Sequence, residues 1–369
     1  MSYLERIASA YSEEKLSQQE LAYYARHLLL PGIGTKGQLK LKSARVLVVG
    51  AGGLGCPALL ALAGAGVGHL TVIDGDTVAM SNLSRQWLHQ YAEAGINKAI
   101  SASETLRSMN PFITIEPREE MLSQENVNEW ITQHDIVVDA TDDLGARYLI
   151  DDSCAELGKP WVHAALYRER SQLCVFWAKY GARFSQLFPE KSEAPSCAGA
   201  GMMGATAGAV ANLQALEVIK LITASAPPKV GELVSFDAEG IALQNFRMPE
   251  VQKVEPLPED KASLSYSIDT DTLRQAQSIS QPLALIDIRS ANEFNKGSMN
   301  GALHQTAESI LESGLEVGAA NNSRVILLCE EGLVSAMLVD ALRARGMENV
   351  FYLEGGILAL VKARNSCCN

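Results

Sequence analysis

The sequence lacks the features that mark membrane-spanning, nucleic-acid-binding and disulfide-rich secreted proteins. No run approaches eighteen consecutive apolar residues, and the first twenty residues have no apolar signal-peptide stretch. Lys and Arg number 31 against 43 Asp and Glu, which gives a net charge of −12 and argues against nucleic acid or an anionic membrane as the main partner. The seven cysteines, an odd number in a long chain, indicate free thiols in a reducing cytoplasm.

The chain is long enough for two domains, since 369 residues exceed one ordinary domain. Continuous apolar strands, such as residues 45–50 and 69–74, alternate with helical stretches such as 98–109. This alternation is typical of a doubly wound, Rossmann-like α/β fold with a buried parallel sheet. A Pro-containing, highly charged segment interrupts the pattern. We therefore predict a doubly wound domain over residues 1–250, a linker over 251–264 and a smaller α/β domain over 265–369.

A glycine-rich turn follows the first strand in the segment "ARVLVVGAGGLGCPALL". Its glycines are Gly50, Gly52, Gly53 and Gly55, and the spacing matches the dinucleotide-binding fingerprint. Such a turn lets the backbone approach a phosphate at a helix N-terminus. Asp74, at the end of the next strand, is placed to bind ribose hydroxyls. Because NAD and ATP both carry that ribose, these residues alone do not decide between the two.

Charged residues beyond the second strand favour ATP. Asp76, Asn82, Arg85 and Gln86 follow that strand, and Lys98 opens the next helix. Nucleotidyl transfer needs cations because negative charge grows on the α-phosphate and on the departing pyrophosphate. Arginine suits bidentate phosphate contact and lysine acts as a point charge.

Asp142, in "ATDD" at the end of a later strand, is a candidate Mg²⁺ ligand between phosphates. Taken singly, Arg85 and Lys98 could equally be solvated surface charges, and Asp142 a helix cap.

Taken together, the segments "YARHLLLPGIG", "GAGGLG", "LTVIDGDTV", "SNLSRQ", "NKA" and "ATDD" resemble the MoeB/ThiF adenylyltransferases, relatives of ubiquitin-activating enzymes. The resemblance implies ATP-dependent adenylation of the C-terminal carboxylate of a ubiquitin-like sulfur carrier ending in Gly-Gly. It implies that the glycines and Asp74 bind the nucleotide, that Asn82, Arg85 and Lys98 contact phosphates, and that Asp142 binds Mg²⁺. It also implies a homodimer in which Arg26 reaches the partner's ATP.

The sequence departs from that family at the zinc site. Many members hold zinc with two Cys-x-x-Cys pairs, but Phe184 and Leu187 stand at the first pair and no cysteine follows the later hairpin. We predict no zinc, and expect apolar packing by Phe184, Leu187 and Phe188 to replace it. Asp143 also stands where the family usually has Asn, which adds negative charge beside the expected metal ligand.

Cys197, in "APSCAGAGMMG", aligns with a family cysteine that can form a thioester or persulfide link with the carrier. A buried cysteine without chemistry is an equally good interpretation, because free cysteine is often buried. Cys367 and Cys368 lie in the last residues, where an incidental role for their thiols is favoured over a role in sulfur handling.

The second domain resembles the rhodanese sulfurtransferases. Cys329-x-x-Gly332-x-x-Ser335 resembles their active loop, and "LIDIRSANEFNKGSMNGA" and "FYLEGGI" resemble their flanking segments. Backbone N–H groups in such a loop stabilise an anionic sulfur, which predicts a persulfide on Cys329. Glu330 and Glu331 oppose this unless they point outward, and they weaken a phosphatase interpretation. A module retained only for packing is the alternative.

Combined, the two domains predict that the carrier is adenylated by Mg·ATP and that the Cys329 persulfide then attacks the acyl-adenylate, so that reduction releases a thiocarboxylate. The sulfur donor would be a cysteine desulfurase or thiosulfate. The alternatives are an NAD-dependent oxidoreductase, a non-catalytic adaptor for a ubiquitin-like protein, and adenylation of a peptide carboxylate.

Overall fold

The computed structural model describes residues 15–189, 201–226, 228–248, 266–278, 283–316 and 324–366. The described chain forms two compact units, one built from residues 39–248 and the other from residues 15–38 together with those from 266 onward. We call them unit 1 and unit 2. The predicted linker, residues 251–264, lies outside the described residues, and the domain boundaries stay a prediction.

The regular elements follow one another as predicted, with strands alternating with helices. The helices are α1 (Gln18–Tyr23), α2 (Ala25–Leu28), α3 (Gly34–Ser43), α4 (Gly55–Ala65), α5 (Lys98–Met109), α6 (Val127–Thr132), α7 (Leu144–Leu157), α8 (Phe184–Leu187), α9 (Gly204–Thr223), α10 (Thr270–Ser278), α11 (Ala291–Lys296), α12 (Ala307–Ser313), α13 (Leu333–Ala344) and α14 (Gly356–Ser366). The strands are β1 (Arg45–Val49), β2 (His69–Ile73), β3 (Thr114–Arg118), β4 (Ile136–Asp139), β5 (Trp161–Tyr167), β6 (Arg170–Phe176), β7 (Glu232–Asp237), β8 (Ala242–Arg247), β9 (Ser267–Ile268), β10 (Leu283–Asp287), β11 (Leu303–His304), β12 (Arg324–Leu328) and β13 (Val350–Leu353).

Unit 1 is built on an eight-stranded sheet of order β3-β2-β1-β4-β5-β6-β7-β8. The first five strands in that order are parallel, and β5 to β8 are joined as antiparallel neighbours. The continuous apolar sequence of β1 is buried because helices cover both faces of a parallel sheet. The strand order reverses between β1 and β4, and such a switch point opens a crevice at the carboxyl ends of the strands.

Helix α9 is long and apolar enough to cross a membrane by length and composition alone. However, 61% of its apolar window is buried inside the structure, and it packs on α4 and β5. We interpret α9 as a core helix of unit 1. The sequence prediction of a cytoplasmic location stays a prediction.

Unit 2 contains a five-stranded parallel sheet of order β11-β10-β12-β13-β9. Helices α1 and α2 belong to this unit, because Leu21, Ala25 and Leu28 are buried with Ile310 and Leu311 of α12. Sequence reasoning had placed this segment in the N-terminal domain. A capping box is present at the start of α1, with Ser17 and Glu20 each accepting a backbone N–H.

At the position expected for the first zinc cysteines of the MoeB/ThiF family, the structure shows packed aromatic rings and a buried aspartate that accepts several hydrogen bonds. Phe184 packs with its ring centroid 4.8 Å from that of Phe188 and 5.7 Å from that of Phe176. Buried Asp151 accepts hydrogen bonds from Arg183, from the backbone N–H groups of Phe184 and Ser185, and from the Ser185 hydroxyl. The sequence predicted the aromatic packing but not the Asp151 clamp.

Candidate functional site

A cavity of about 590 Å³ opens at the carboxyl ends of β1, β2 and β4. Because the strand order reverses between β1 and β4, the loops that follow these strands diverge and leave this space. Most of the nucleotide-site residues predicted from the sequence line it. They are Gly50, Gly52, Gly53, Asp74, Asp76, Asn82, Arg85, Gln86, Lys98 and Asp142.

The glycine turn leaves no room for side chains at its two ends. Gly50 has a φ of +101°, and a Cβ there would lie 2.7 Å from the Ala140 carbonyl oxygen. A Cβ at Gly55, the first residue of α4, would lie 2.0 Å from the Gly50 carbonyl oxygen. Gly55 does not line the cavity, so its role is to let α4 start close to β1. This explains why the turn needs glycine at both positions.

Two acids at the end of β2 have different roles. Asp74, 8% exposed, accepts the backbone N–H of Ala51 at 2.8 Å and that of Asp76 at 2.9 Å, so its carboxylate braces the glycine turn. Asp76 accepts a 2.8 Å hydrogen bond from the Lys98 Nζ. The Lys98 side chain is 10% exposed, and the ion pair therefore fixes a desolvated cation at the cavity wall.

The segment after β2 supplies a second cation, Arg85, and a buried side-chain amide, Gln86. Arg85 donates to the Ser81 carbonyl oxygen at 2.8 Å, and the Asn82 side chain accepts the Ala79 N–H. Gln86 is 4% exposed, and its Oε1 has no hydrogen-bond partner within the described residues. Gln86 thus forms part of the buried wall of the cavity.

At the end of β4, Asp142 and Asp143 are both exposed, but they differ in their contacts. Asp143 caps α7 by accepting the Gly145 N–H at 2.8 Å. Both residues line the cavity, and no side-chain hydrogen bond of Asp142 is found within the described residues. The helix-cap role that sequence reasoning allowed for Asp142 thus falls to Asp143.

Sequence reasoning missed Glu120, Met121 and Arg147, which also line the cavity. Arg147 donates to Asp139 at 3.2 Å and to the Thr141 carbonyl oxygen at 2.7 Å. A helical arginine after "ATDD" was the available signal for Arg147. Glu120 and Met121 lie after β3 in a segment without a motif, so only the fold reveals them.

Behind this wall, the Nδ1–H of buried His163 donates to Asp139 at 2.7 Å. Burial lowers the pKa of His163 below its usual value, although the hydrogen bond to Asp139 acts in the opposite direction.

In unit 2, the loop between β12 and α13 encloses the sulfur of Cys329. The Sγ accepts the backbone N–H of Gly332 at 3.1 Å and that of Ser335 at 3.4 Å, and the Ser335 hydroxyl lies 3.2 Å away. Cys329 is 5% exposed. These donors are the cradle that a thiolate or persulfide requires.

Arg289 links the loop to the strand beside it. It donates to Asp287 and to Glu330, the latter at 2.8 Å. Glu330 therefore turns toward Arg289, while Glu331 is exposed. Hydrogen bonding to Asp287 is the main reason that the pKa of Arg289 is raised above its usual value.

The remaining predicted residues lie elsewhere. Arg26 belongs to unit 2, where its side chain is 82% exposed and donates to Glu308 at 2.7 Å. Cys197, Cys367 and Cys368 lie outside the described residues. Within the described part of the chain, no group of three or more His, Cys, Asp or Glu side chains is placed to hold a metal.

Each of the two sites lies in a part of the chain that matches a known protein family. Residues 24–256 match the ThiF family, and residues 269–363 match the rhodanese-like domain. The ThiF match covers more than half of the chain, which therefore belongs to the ThiF family and carries a rhodanese-like domain.

Named relatives share both parts. The chain is 35% identical to the adenylyltransferase/sulfurtransferase MoeZ of Mycobacterium tuberculosis over 94% of each protein. It is 34% identical to the adenylyltransferase and sulfurtransferase MOCS3 of Culex quinquefasciatus, over 94% of this chain and 88% of that one. This protein is accordingly an enzyme, an adenylyltransferase with a sulfurtransferase domain. The nicotinamide-oxidoreductase and non-catalytic-adaptor interpretations are set aside. Use of ATP follows from the family.

Solved structures agree in fold. Escherichia coli MccB crystallised with ATP gives a TM-score of 0.53 at 20% identity, over 68% of this chain and 76% of that one. PaaA gives a TM-score of 0.53 at 23% identity, over 66% and 76%. At these identities the likeness supports the fold alone.

Proposed function

We propose that unit 1 uses Mg·ATP to adenylate the C-terminal glycine carboxylate of a small ubiquitin-like sulfur carrier. The cavity that brings Lys98 and Arg85 together beside the glycine turn carries the proposal. The carboxylate attacks the α-phosphate, and the bond from that phosphorus to the bridging oxygen of pyrophosphate breaks. No general base is required, because a carboxylate is already ionised at neutral pH.

The two cations match the charge that develops in this step. Lys98 is held by Asp76 in a largely desolvated position, where a fixed charge is worth more than in water. Arg85 is anchored through the Ser81 carbonyl, which leaves other guanidinium N–H groups for phosphate oxygens. Neutralising the triphosphate lowers the repulsion that the incoming carboxylate meets.

Asp142 fits a Mg²⁺ site of the kind found in nucleotide enzymes, where one carboxylate, phosphates and water supply the oxygens. Asp142 and Asp143 both line the cavity, and one carboxylate oxygen of Asp143 is engaged as the cap of α7. When bound there, Mg²⁺ would neutralise phosphate charge. Asp143 adds negative charge beside the ion.

Unit 2 would complete the reaction with sulfur. Cys329 carries a persulfide whose terminal sulfur attacks the acyl carbon and expels AMP, which leaves an acyl disulfide between the carrier and Cys329. A dithiol reductant then cleaves that disulfide and releases the thiocarboxylate. The N–H groups of Gly332 and Ser335 point at the sulfur and would stabilise negative charge on the persulfide. Cys197 is a further candidate thiol, for resolving the acyl disulfide.

The proposed assembly is a homodimer in which Arg26 reaches the partner's nucleotide. The exposed Arg26 side chain is compatible with that role once it leaves Glu308.

ATP–pyrophosphate exchange with candidate carriers tests the division of labour. Arg85→Ala should lose exchange, because a phosphate contact is removed. Cys329→Ser should keep exchange but form no thiocarboxylate, as read by mass spectrometry of the carrier. Loss of exchange in Cys329→Ser would show that the two steps are not divided between the units in this way. Exchange with short peptides but with no carrier would instead favour peptide-carboxylate adenylation.

A further inference from the structure

A buried histidine outside the cavity contacts the glycine turn of unit 1. His89 is 6% exposed, and its Nε2 lies 2.9 Å from the carbonyl oxygen of Ala51. Ala51 stands between Gly50 and Gly52, which both line the cavity, whereas His89 and Ala51 do not. A carbonyl oxygen can only accept a hydrogen bond, so the Nε2 of His89 carries a proton and donates it.

The backbone of Ala51 is held on both sides. Its N–H donates to Asp74 at 2.8 Å, and its carbonyl accepts from His89 and, at 3.2 Å, from the thiol of Cys56, which is a weaker donor. The peptide bond from Ala51 to Gly52 is planar and trans, so the N–H of Gly52 points opposite to that carbonyl. This N–H has no hydrogen-bond partner within the described residues. Fixing the carbonyl toward His89 therefore fixes the direction of a donor that is open to a ligand.

The same imidazole contacts the helix that carries the buried cation. Its Nδ1 lies 2.7 Å from the hydroxyl oxygen of Ser101, which is fully buried. Ser101 follows Lys98 by three residues, and Lys98 is the first residue of α5. One ring thus contacts both the glycine turn and the first turn of the helix that supplies Lys98 to the cavity.

We propose that His89 is a positioning residue for the triphosphate of ATP. It acts through Ala51, by directing the N–H of Gly52 toward a phosphate oxygen, and through Ser101, by fixing the turn relative to Lys98. A hydrogen bond from a backbone N–H to a phosphate is charge-assisted, and its strength falls steeply when the donor is misaligned. This inference rests on the proposed role of the cavity in binding ATP.

Calorimetric titration of the full-length chain with the non-hydrolysable analogue AMPPCP and MgCl2 tests this role without a carrier. His89→Leu keeps the bulk of the ring but removes both nitrogens, and it should raise the Kd of the analogue about tenfold. His89→Gln keeps an N–H donor at a similar reach and should stay within about threefold of wild type. Rescue by glutamine is the result that a role in filling space alone does not produce.

His134→Leu is the matched control, because it also removes a hydrogen bond from a buried histidine to a backbone carbonyl, that of Trp130 at 2.6 Å. His134 precedes β4, at the end of the strand away from the cavity. This variant should lower the Tm but leave the Kd within about twofold. If His89→Leu does not fold, Ser101→Ala carries the test, with about a threefold rise in Kd.

Three results would overturn the positioning role. They are a Kd within twofold of wild type in the variant that carries the test, equal losses in His89→Leu and His89→Gln, and an equal loss in His134→Leu. A wild-type chain that binds no AMPPCP would instead remove the proposed ATP-binding role of the cavity.

Discussion

Two turns of this molecule share a backbone design and differ in charge. The turn from β1 into α4 and the loop from β12 into α13 both run from a buried parallel strand through glycines into a helix N-terminus. The cavity at the first turn holds the cations Arg85, Lys98 and Arg147 together with several carboxylates, whereas the two side chains that follow Cys329 in the second are both glutamates. Backbone N–H groups at a helix start favour an anion in either case. We infer that the cations beside the first turn suit it to a phosphate, whereas at the second loop the anion is the Cys329 sulfur itself.

The largest effect should come from removing the buried cation of the first turn. Lys98→Ala should lower the rate of ATP–pyrophosphate exchange about 100- to 1,000-fold, the usual cost of losing one desolvated electrostatic contact. Sulfur transfer from Cys329 to cyanide should be unchanged.

Lys179→Ala is the control for Lys98, because Lys179 is an exposed lysine near Trp177. It should keep exchange within twofold. Exchange within threefold of wild type in Lys98→Ala would show that the buried cation does not serve the reaction.

The second prediction concerns the glycine of the sulfur loop. Gly332 has a φ of +88°, and a Cβ there would lie 2.9 Å from the Gly355 nitrogen and 3.0 Å from the Leu353 carbonyl oxygen. Gly332→Ala should destabilise unit 2 by about 2–4 kcal/mol and reduce sulfur transfer while exchange persists. Urea unfolding measures the loss of stability, and the rate of thiocyanate release in a separate assay measures the loss of sulfur transfer.

Gly346→Ala separates dihedral strain from collision. Gly346 has a φ of +89°, but a Cβ there would meet nothing within 4 Å. We expect a loss of only about 1 kcal/mol. Equal losses in the two variants would mean that the contact with residues 353–356 is not what requires Gly332.

The smallest expected effect is a difference between the two units in how their free energy of unfolding changes at acidic pH. Burial lowers the pKa of His134 in unit 1 to about 4, although its hydrogen bond to the Trp130 carbonyl opposes this. The unfolded chain takes up that proton near pH 6.5, so the contribution of His134 is present above pH 6.5 and declines toward pH 4. The slope is up to about 1.4 kcal/mol per pH unit.

Unit 2 should keep its stability to a lower pH than unit 1. Burial acts to raise the pKa of Asp287, but hydrogen bonds from Arg289 and Ser298 outweigh it and leave the pKa below the usual 3.8. Its contribution is present above that value and is lost only as the pH falls further. Calorimetry between pH 7 and pH 4 should show the unit 1 transition moving down first, and His134→Gln should flatten its slope. The reverse order would contradict this account.

The sequence predicted much of the fold and most of the polar residues that line the cavity of unit 1, because both follow from local sequence patterns. The apolar runs of β1, β2 and β4 and the helix over 98–109 are confirmed by the structure. Residues on one stretch of chain, such as Arg85 and Gln86, were identified because the motif keeps them together. The rhodanese-like loop followed from the same kind of spacing.

The rest depended on distant parts of the chain meeting in space. Glu120 reaches the cavity because β3 pairs with β2, and Arg147 because its partner Asp139 ends β4. The packing of α1 and α2 against α12 joins segments almost 300 residues apart, and an apolar helix face does not specify which surface it will cover. For the same reason, the turn of Glu330 toward Arg289 could not be read from the loop's sequence alone.

The carboxylate of Asp151 gathers residues 183–185 with atoms that belong to the polypeptide itself. Contact with Asp151 on α7 is enough to hold this stretch in place. The donors in this arrangement are a guanidinium, two backbone N–H groups and a hydroxyl, and none of them is a thiol. Reagents that oxidise thiols should therefore leave these contacts intact.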